Sequence, residues 1–253
     1  MSHPGDPLGG PRVPNRPGAP LAGPERPLRA TPGSHAHQAL AALHRTALGC
    51  TLCPLAEKRT QVVFGVGDPS ADLLFVGEGP GREEDERGEP FVGRSGRLLD
   101  RLLIEEIGLQ RRDCYIANVV KCRPPMNRDP RPEEIAACRP YLERQIALIA
   151  PRVIVTLGNF ASRLLLDTTT GIRSLRGRAY PFGPAHLVPT YHPAAALRSG
   201  GVVVAEMRAD FVRAKRLLFA PPSPPASPSS SPPASPRPSG FPRSLRPSNG
   251  PLP

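Results

Sequence analysis

The sequence has no apolar run long enough to cross a membrane, and it has only five cysteines among 253 residues. A membrane-spanning helix needs about 20 mainly apolar residues, so we expect no membrane association. Proline and glycine stand near the N-terminus, where a signal peptide needs an apolar core. Few cysteines in an intracellular chain argue against a disulfide framework. We therefore expect a soluble, cytoplasmic protein.

Acidic residues are in short supply. The chain has 22 Asp and Glu against 33 Lys and Arg, which gives a formal net charge of +11. Residues 1–33 contribute +2 and residues 220–253 contribute +3, so +6 remains for the part between them. This excess favours a polyanionic partner, nucleic acid above all. Charge alone does not identify that partner, because many arginine-rich proteins bind no nucleic acid.

The two ends of the chain lack apolar periodicity. Residues 1–33 and 220–253 hold 22 of the 36 prolines, mixed with Ser, Gly and Arg. Segments of this composition bury too little apolar surface to offset the entropy lost on ordering, so we predict that both tails are disordered. Residues 34–219 remain as one domain, which is large enough for a real core.

Short apolar runs alternate with helical patterns between the tails. The predicted strands are 61–64, 72–76, 114–120, 152–157 and 186–190. The predicted helices are 35–48, 98–107, 132–149, 159–166 and 202–218. Strands that alternate with helices indicate an α/β fold with a parallel sheet covered on both faces.

A long glycine-rich loop, GEGPGREEDERGEPFVGRSG at residues 77–96, follows the second of these strands. In open α/β sheets, ligands bind beyond the carboxyl ends of the strands, where this loop would lie. Phe91 within it is available to stack on a flat ligand. The alternative is an ordinary strand-to-helix connection whose Phe91 closes the core. A phosphate-binding P-loop is not expected, because no Gly-Lys-Ser/Thr follows.

Four of the cysteines have a spacing that suits a metal centre. Cys50 and Cys53 form a CxxC pair after the first helix, and Cys122 and Cys138 follow far along the chain. Four thiolates bind tetrahedral zinc or an iron–sulfur cluster, and spacing alone puts zinc first while leaving the cluster open. Cys138 also fits an apolar helix stripe, where cysteine packs well. Cys114 lies within a strand, and we assign it to the core.

Three longer motifs carry a family resemblance. GEGPGREEDERGEPFVGRSGRLLD, ANVVKCRPPMNRDPRPEEIAACRPYL and TYHPAAALR, taken with the cysteine spacing, resemble the family-four uracil-DNA glycosylases, which carry a 4Fe–4S cluster. The resemblance covers about residues 40–218. It implies a three-layer α/β/α fold with a central, mostly parallel four-stranded sheet. It also implies a monomer that removes uracil from single- or double-stranded DNA and is associated with the nucleoid when it acts.

The resemblance implies roles for particular residues. The uracil pocket would be lined by Glu78, Gly79, Pro80, Glu84, Phe91, Asn118 and His192. Phe91 would stack on the flipped base, Asn118 would read its Watson–Crick edge, and His192 would donate to uracil O2 as negative charge develops. The cluster ligands would be Cys50, Cys53, Cys122 and Cys138. Leu197 and Arg198 would enter the DNA groove that the base leaves.

Two positions depart from the pattern of better-known superfamily members. Those members have an aspartate at the place of Gly79, where it orients the attacking water. Here Glu78, Glu84 or electrostatics alone would have to serve, with Glu78 counted as catalytic beside His192 and Asn118. The bulky residue of the wedge segment, Leu197, also comes one place later than in many relatives.

Two other functions are compared with uracil excision. A covalent uracil-DNA-capturing relative would need a histidine in a basic insertion near the third cysteine, and RPPMNRDPRPEE has neither. A non-enzymatic, metal-stabilised nucleic-acid-binding module would bind DNA without releasing uracil. Taken singly, His192 would cap a turn and Asn118 would satisfy a strand end; their joint arrangement at strand ends favours the enzyme.

Overall fold

The structure is a computed structural model, and it describes residues 35–221. The disorder predicted for the two tails concerns residues outside this range, apart from Ala220 and Pro221. Among residues 35–221, no helix combines the length and apolar character that a membrane crossing requires.

A single sheet organises these residues. Its strands are β1 (Val66–Gly67), β2 (Leu73–Gly77), β3 (Tyr115–Asn118), β4 (Val153–Leu157), β5 (Tyr180–Phe182) and β6 (Ala185–Thr190), in the order β1-β3-β2-β4-β6-β5. The four inner strands are parallel, while β1 and β5 pair antiparallel at the edges. The predicted α/β class with a mostly parallel sheet is confirmed.

The predicted number of four strands is wrong, because two edge strands were missed. Both are too short for a periodic pattern: β1 has two residues, and β5 has three, with a proline in the middle. The strand predicted at 61–64 is also wrong. Val63 donates one backbone hydrogen bond to the Lys121 carbonyl, but pairing begins only after Gly65, whose φ of 142° breaks the extended run.

The helices cover both faces of the sheet. They are α1 (His35–Leu48), α2 (Arg82–Arg87), α3 (Arg94–Leu102), α4 (Pro132–Ile149), α5 (Asn159–Leu166), α6 (Ile172–Leu175), α7 (Pro193–Ser199) and α8 (Gly201–Phe219). A π-helical turn, Leu103–Ile107, extends α3 and ends at Gly108 with φ 84°. The sequence did not indicate α2, α6 and α7, which are six, four and seven residues long and too short for a clear period. The stretch 77–96, predicted as one long loop, therefore contains a helix.

The sheet separates two hydrophobic cores. Leu74, Val76 and Ile154 pack with α1, α4 and α5, whereas the alternate residues Phe75 and Val155 pack with α3 and α8. This alternation is the period of two that a strand imposes on its side chains. The result is the three-layer α/β/α arrangement. Every residue of β2, β3 and β4 is buried, as expected for strands covered on both faces.

Candidate active site

A cleft of about 1000 Å³ opens at the carboxyl ends of the four parallel strands. The side chains and backbone predicted to bind substrate all line it, namely Glu78, Gly79, Pro80, Glu84, Phe91, Asn118 and His192. They come from the last residue of β3 and from the segments that follow β2 and β6, which the parallel topology brings to one edge. Arg198 lines the cleft as well, while Leu197, 41% exposed, lies outward on the same helix, α7.

Asn118 ends β3, opposite Gly77 of β2. Its side chain is buried, yet its Oδ1 accepts no hydrogen bond from any of the described residues. A buried acceptor left without a partner costs about 1–3 kcal/mol, so native proteins rarely keep one without a purpose. Oδ1 is therefore available for a donor that enters the cleft.

Gly77 leaves the space that the neighbouring side chains occupy. A Cβ at this position would lie 2.5 Å from Asn118 Oδ1 and 2.5 Å from Phe91 Cζ. Real side chains do not approach that closely, so any other residue at 77 would displace both groups. Glycine is required here for side-chain room rather than for an unusual backbone angle.

Phe91 has a strained backbone, with φ 54°. Arg111 holds it from one side by donating to the carbonyls of Pro90 and Phe91, the latter at 3.1 Å. The ring is buried and faces His192, with ring centroids 5.7 Å apart. Left-handed residues other than glycine persist only where surrounding contacts hold them, and they concentrate at functional sites.

Glu84 holds the same loop from the other side. Its Oε1 accepts the N–H groups of Val92 and Gly93, at 3.0 and 2.9 Å, and its Oε2 accepts the N–H of Gly81 at 3.1 Å. Both carboxylate oxygens are therefore engaged by backbone amides. This geometry favours a role for Glu84 in fixing the Phe91 loop rather than in activating water.

His192 caps the N-terminus of α7. Its Nδ1 accepts the N–H of Ala194 at 3.2 Å. Burial, with a further contribution from the Arg198 charge, lowers the His192 pKa to about 4. The imidazole is then neutral near pH 7, and because Nδ1 is used as an acceptor, its proton sits on Nε2. His192 thus caps the helix through Nδ1 and has a neutral ring whose Nε2–H is able to donate.

Glu78 is an acidic residue of the cleft, and its pKa is raised. Burial first, and the Asp129 carboxylate second, raise its pKa to about 7. The neighbouring Gly79 leaves little room for a side chain, because a Cβ there would lie 2.7 Å from Cγ2 of the buried Val120. An aspartate at 79 would require Val120 to move.

The buried side chain of Lys121 holds the end of β3 that carries Asn118. Lys121 Nζ donates to the backbone carbonyl of Asn118 at 2.8 Å and to the side-chain Oε1 of Gln145 at 2.5 Å. Gln145 Nε2 in turn donates to the Phe64 carbonyl at 2.9 Å. Burial lowers the Lys121 pKa to about 8. Nothing in the local sequence pattern indicated that Lys121 is buried.

A second network fixes the segment before His192. Thr190 Oγ1 donates to Asp210 Oδ2 at 2.9 Å, and Arg176 Nε donates to the same oxygen at 3.0 Å. The Arg176 guanidinium also lies over the Tyr191 ring, 5.4 Å from its centroid. Sequence reasoning missed Arg176, Asp210 and Arg111, since each acts across a long stretch of chain.

Four cysteines line one small pocket that is separate from the cleft: Cys50, Cys53, Cys122 and Cys138. The Lys121 N–H points at Cys138 Sγ at 3.3 Å, and Arg59 Nη1 at Cys122 Sγ at 3.4 Å. Burial raises the pKa of Cys138 to about 11. Within residues 35–221, these thiols are not grouped closely enough to coordinate a metal ion without rearrangement. Four sulfurs facing one pocket, with N–H donors beside them, nevertheless fit a thiolate-bound centre.

Cys114 lies apart from this set. It is buried in the core on the opposite face of the sheet, with its thiol against the Arg111 carbonyl at 3.3 Å. This placement agrees with its assignment to the core.

Several known proteins resemble this chain in sequence. Residues 64–216 match the family model described as the uracil DNA glycosylase superfamily. The chain is 41% identical over 191 residues to a type-4 uracil-DNA glycosylase of Sulfurisphaera tokodaii, covering 72% of this chain and 86% of that protein. It is 51% identical over 152 residues to one of Thermotoga maritima, covering 59% and 79%. A type-5 uracil-DNA glycosylase of Thermus thermophilus is 30% identical over 217 residues, covering 70% and 97%.

Proposed function

The chain belongs to the uracil DNA glycosylase superfamily, and on this premise we propose how its cleft works. The protein is a uracil-DNA glycosylase: it flips uracil out of DNA and hydrolyses the N-glycosidic bond, leaving an abasic site that starts base-excision repair. An enzyme that acts on a base must extrude it into a pocket that reads its edge. The unpaired Oδ1 of Asn118, set beside Phe91 and His192, is the observation that carries the assignment of this cleft.

Asn118 reads the base. Its Oδ1 accepts the N3–H of uracil, and its amide group donates to O4. Cytosine has an acceptor at N3 and a donor at C4, so it meets the wrong group at both places. The Lys121 contact with the Asn118 carbonyl supports this role, because it fixes the strand end that carries the side chain.

His192 stabilises the departing base. Cleavage of the glycosidic bond leaves negative charge on uracil, largely at O2, and positive charge on the sugar. A fixed donor aimed at the developing charge lowers the barrier without itself giving up a proton. The neutral imidazole with its proton on Nε2 is such a donor, and the low His192 pKa supports this state across the physiological range.

Glu78 prepares the water. With a pKa near 7, its carboxylate form is populated at physiological pH and is basic enough to accept a hydrogen bond from the attacking water. Gly79 and Glu84 leave this task to Glu78, since the first has no side chain and the second is engaged by backbone amides. Phe91 supplies the flat surface on which the base stacks.

A 4Fe–4S cluster bound by Cys50, Cys53, Cys122 and Cys138 is part of the proposal. When bound, it supplies a structural cross-link rather than redox chemistry, because the hydrolysis moves no electron. Cys122 lies four residues after Asn118, and Cys138 Sγ accepts a hydrogen bond from the backbone N–H of Lys121. Ligation at these positions would therefore hold the same segment that carries the base reader.

The protein is proposed to act as a monomer on uracil in single- or double-stranded DNA, inside the cell and at the nucleoid. Leu197 and Arg198 on α7 would enter the groove that the uracil leaves. The exposure of Leu197 and the position of Arg198 at the cleft support this role.

One incubation tests the proposal. The protein is mixed with uracil-containing DNA, and free uracil and abasic sites are measured. We expect stoichiometric uracil and an unbroken strand, because no lysine faces the cleft as a Schiff-base nucleophile among residues 35–221. Binding without uracil release would instead indicate a nucleic-acid-binding module.

A further inference from the structure

Met126 is the most exposed of the large hydrophobic side chains in residues 35–221, with 93% of its surface accessible. It lies in the loop of residues 124–128, which follows β3 and Cys122. A single exposed apolar residue needs no explanation by itself. The backbone of Met126 and its place beside the cleft distinguish it from the others.

The backbone is left-handed at both Met126 and Asn127, with φ values of 57° and 53°. Two consecutive residues other than glycine rarely adopt this conformation, because each Cβ crowds the following carbonyl oxygen. Strain of this kind persists only where neighbouring contacts over-determine the backbone, and it concentrates at functional sites.

Backbone hydrogen bonds close the loop tightly. The N–H of Asn127 donates to the Pro124 carbonyl at 3.0 Å, and the N–H of Arg128 donates to the Pro125 carbonyl at 3.1 Å. The two prolines also restrict the chain that leads into Met126. These contacts therefore hold the backbone of residues 124–128 in one closed turn.

Side chains fasten the loop further. Arg123 Nε donates to Asn127 Oδ1 at 2.7 Å. The Arg128 guanidinium donates twice to the buried Glu134 carboxylate, at 2.6 and 2.8 Å. These contacts hold the backbone in its strained form and leave the Met126 side chain in solvent.

The loop stands across the cleft from the predicted wedge. β3 and β6 are the outer two of the four parallel strands, so the segments that follow them lie at opposite ends of the cleft. Asn127 and Arg128 line one end, and Arg198 of α7 lines the other. Met126 and Leu197 are thus exposed apolar side chains on opposite sides of the proposed base pocket.

On the basis of the proposed function, we propose that Met126 inserts into the base stack of duplex DNA beside the extruded uracil, from the side opposite to Leu197. Apolar side chains, methionine among them, enter base steps and partly unstack them in proteins that deform DNA. The unbranched, polarisable methionine side chain adapts well to a stack of varying sequence. Arg123, whose loop partner is the neutral Asn127, brings positive charge to the adjacent phosphates.

The test compares three variants with wild type: Met126→Ala, Met126→Gly and Ile104→Ala. Ile104 is 57% exposed and lies away from the cleft, so its variant controls for the loss of any exposed apolar side chain. Single-turnover uracil release is measured on one sequence, as a single strand and as a duplex. We expect Met126→Ala to slow the duplex reaction about tenfold, at the low end of a base-stacking contact, and the single-strand reaction less than about twofold.

Met126→Gly separates insertion from loop folding. Glycine adopts a φ near 57° without strain, so the melting temperature of this variant is expected to be a few degrees above that of wild type. Its excision of uracil from duplex DNA is expected to fall as much as that of Met126→Ala. A second readout is a duplex with 2-aminopurine beside a non-hydrolysable 2′-fluorinated deoxyuridine. Its fluorescence is expected to rise on binding wild type or Ile104→Ala, and to rise less with either Met126 variant.

Two results overturn the inference. Met126 variants that match Ile104→Ala on duplex DNA would show that Met126 does not enter the stack, and equal losses on both substrates would show a general defect. Either result leaves the proposed function standing, provided that wild type releases uracil. If wild type released no uracil from either substrate, the proposed function would fail, and the inference with it.

Discussion

The rings of Phe91 and His192 face each other across the cleft, with centroids 5.7 Å apart and planes inclined by 34°. A base sandwiched between two rings needs roughly 7 Å, twice the usual carbon–carbon contact distance. Uracil therefore does not fit between them as a third ring. In the proposed function, uracil would instead stack on Phe91 with its edge towards His192, so that O2 meets Nε2.

Replacing His192 tests the proposed donor. His192→Ala is expected to lower the single-turnover rate about 100- to 1,000-fold, as the loss of one such donor does elsewhere. DNA affinity is expected to change far less, because phosphate contacts supply most of it. If rate and binding fell together, or if the rate barely moved, His192 would be only the cap of α7.

Replacing Asn118 tests base reading. Asn118→Asp puts an acceptor where uracil presents its O4 carbonyl and where cytosine presents an amine. We expect slower uracil excision together with weaker discrimination against cytosine, measured as the ratio of release rates from matched DNA. Asn118→Ala is the control: it removes both polar groups and is expected to slow excision without favouring cytosine.

The raised pKa of Glu78 predicts a pH dependence with a definite sign. The carboxylate form grows as pH rises through about 7, so the excision rate is expected to rise over the same interval in wild type. Glu78→Gln is expected to be roughly 100-fold slower and to lose this rise. His192 contributes no change above pH 5, because its pKa lies near 4.

The same residue predicts an effect on stability. A carboxyl whose pKa is higher folded than unfolded favours the folded state at low pH, and this contribution is lost as pH rises from about 4.5 through 7. Glu78→Gln removes the cost of burying the charge, so we expect a higher melting temperature than wild type at pH 8 and little difference at pH 4.5. A lower melting temperature at pH 8 would contradict the burial argument.

Iron content tests the proposed cluster. Anaerobically purified protein is expected to be brown, with about four irons per chain. Cys122→Ser is expected to lose the iron, whereas Cys114→Ser is the matched control and should keep it, since Cys114 lies in the opposite core. A colourless protein with one zinc per chain would contradict the cluster and indicate a zinc site instead.

Shortening the chain to residues 34–219 tests the predicted domain. Both hydrophobic cores lie within this range, so we expect a folded and active enzyme. The removed segments carry five net positive charges, and their loss is expected to weaken DNA binding most at low salt. An inactive product at every salt concentration would show that the domain needs its tails.

Much of the architecture follows from local pattern. The run Leu73–Gly77 is continuously apolar, and such runs form strands buried on both faces. The helix Pro132–Ile149 begins with a proline and two acids, as helices commonly do, and its predicted bounds are those of the structure. Edge strands and short helices escaped prediction, because two to seven residues show no period.

Sequence by itself determined the fold class, the family and the residues that gather at the strand ends, since parallel topology sends every such end to one edge. Tertiary structure alone decided what those residues are free to do. The unpaired Oδ1 of Asn118, the room left by Gly77 and the engaged oxygens of Glu84 depend on chain segments that meet only through the register of the sheet. Hydrogen bonding and burial are set by neighbours in space, which a pattern along one chain does not contain.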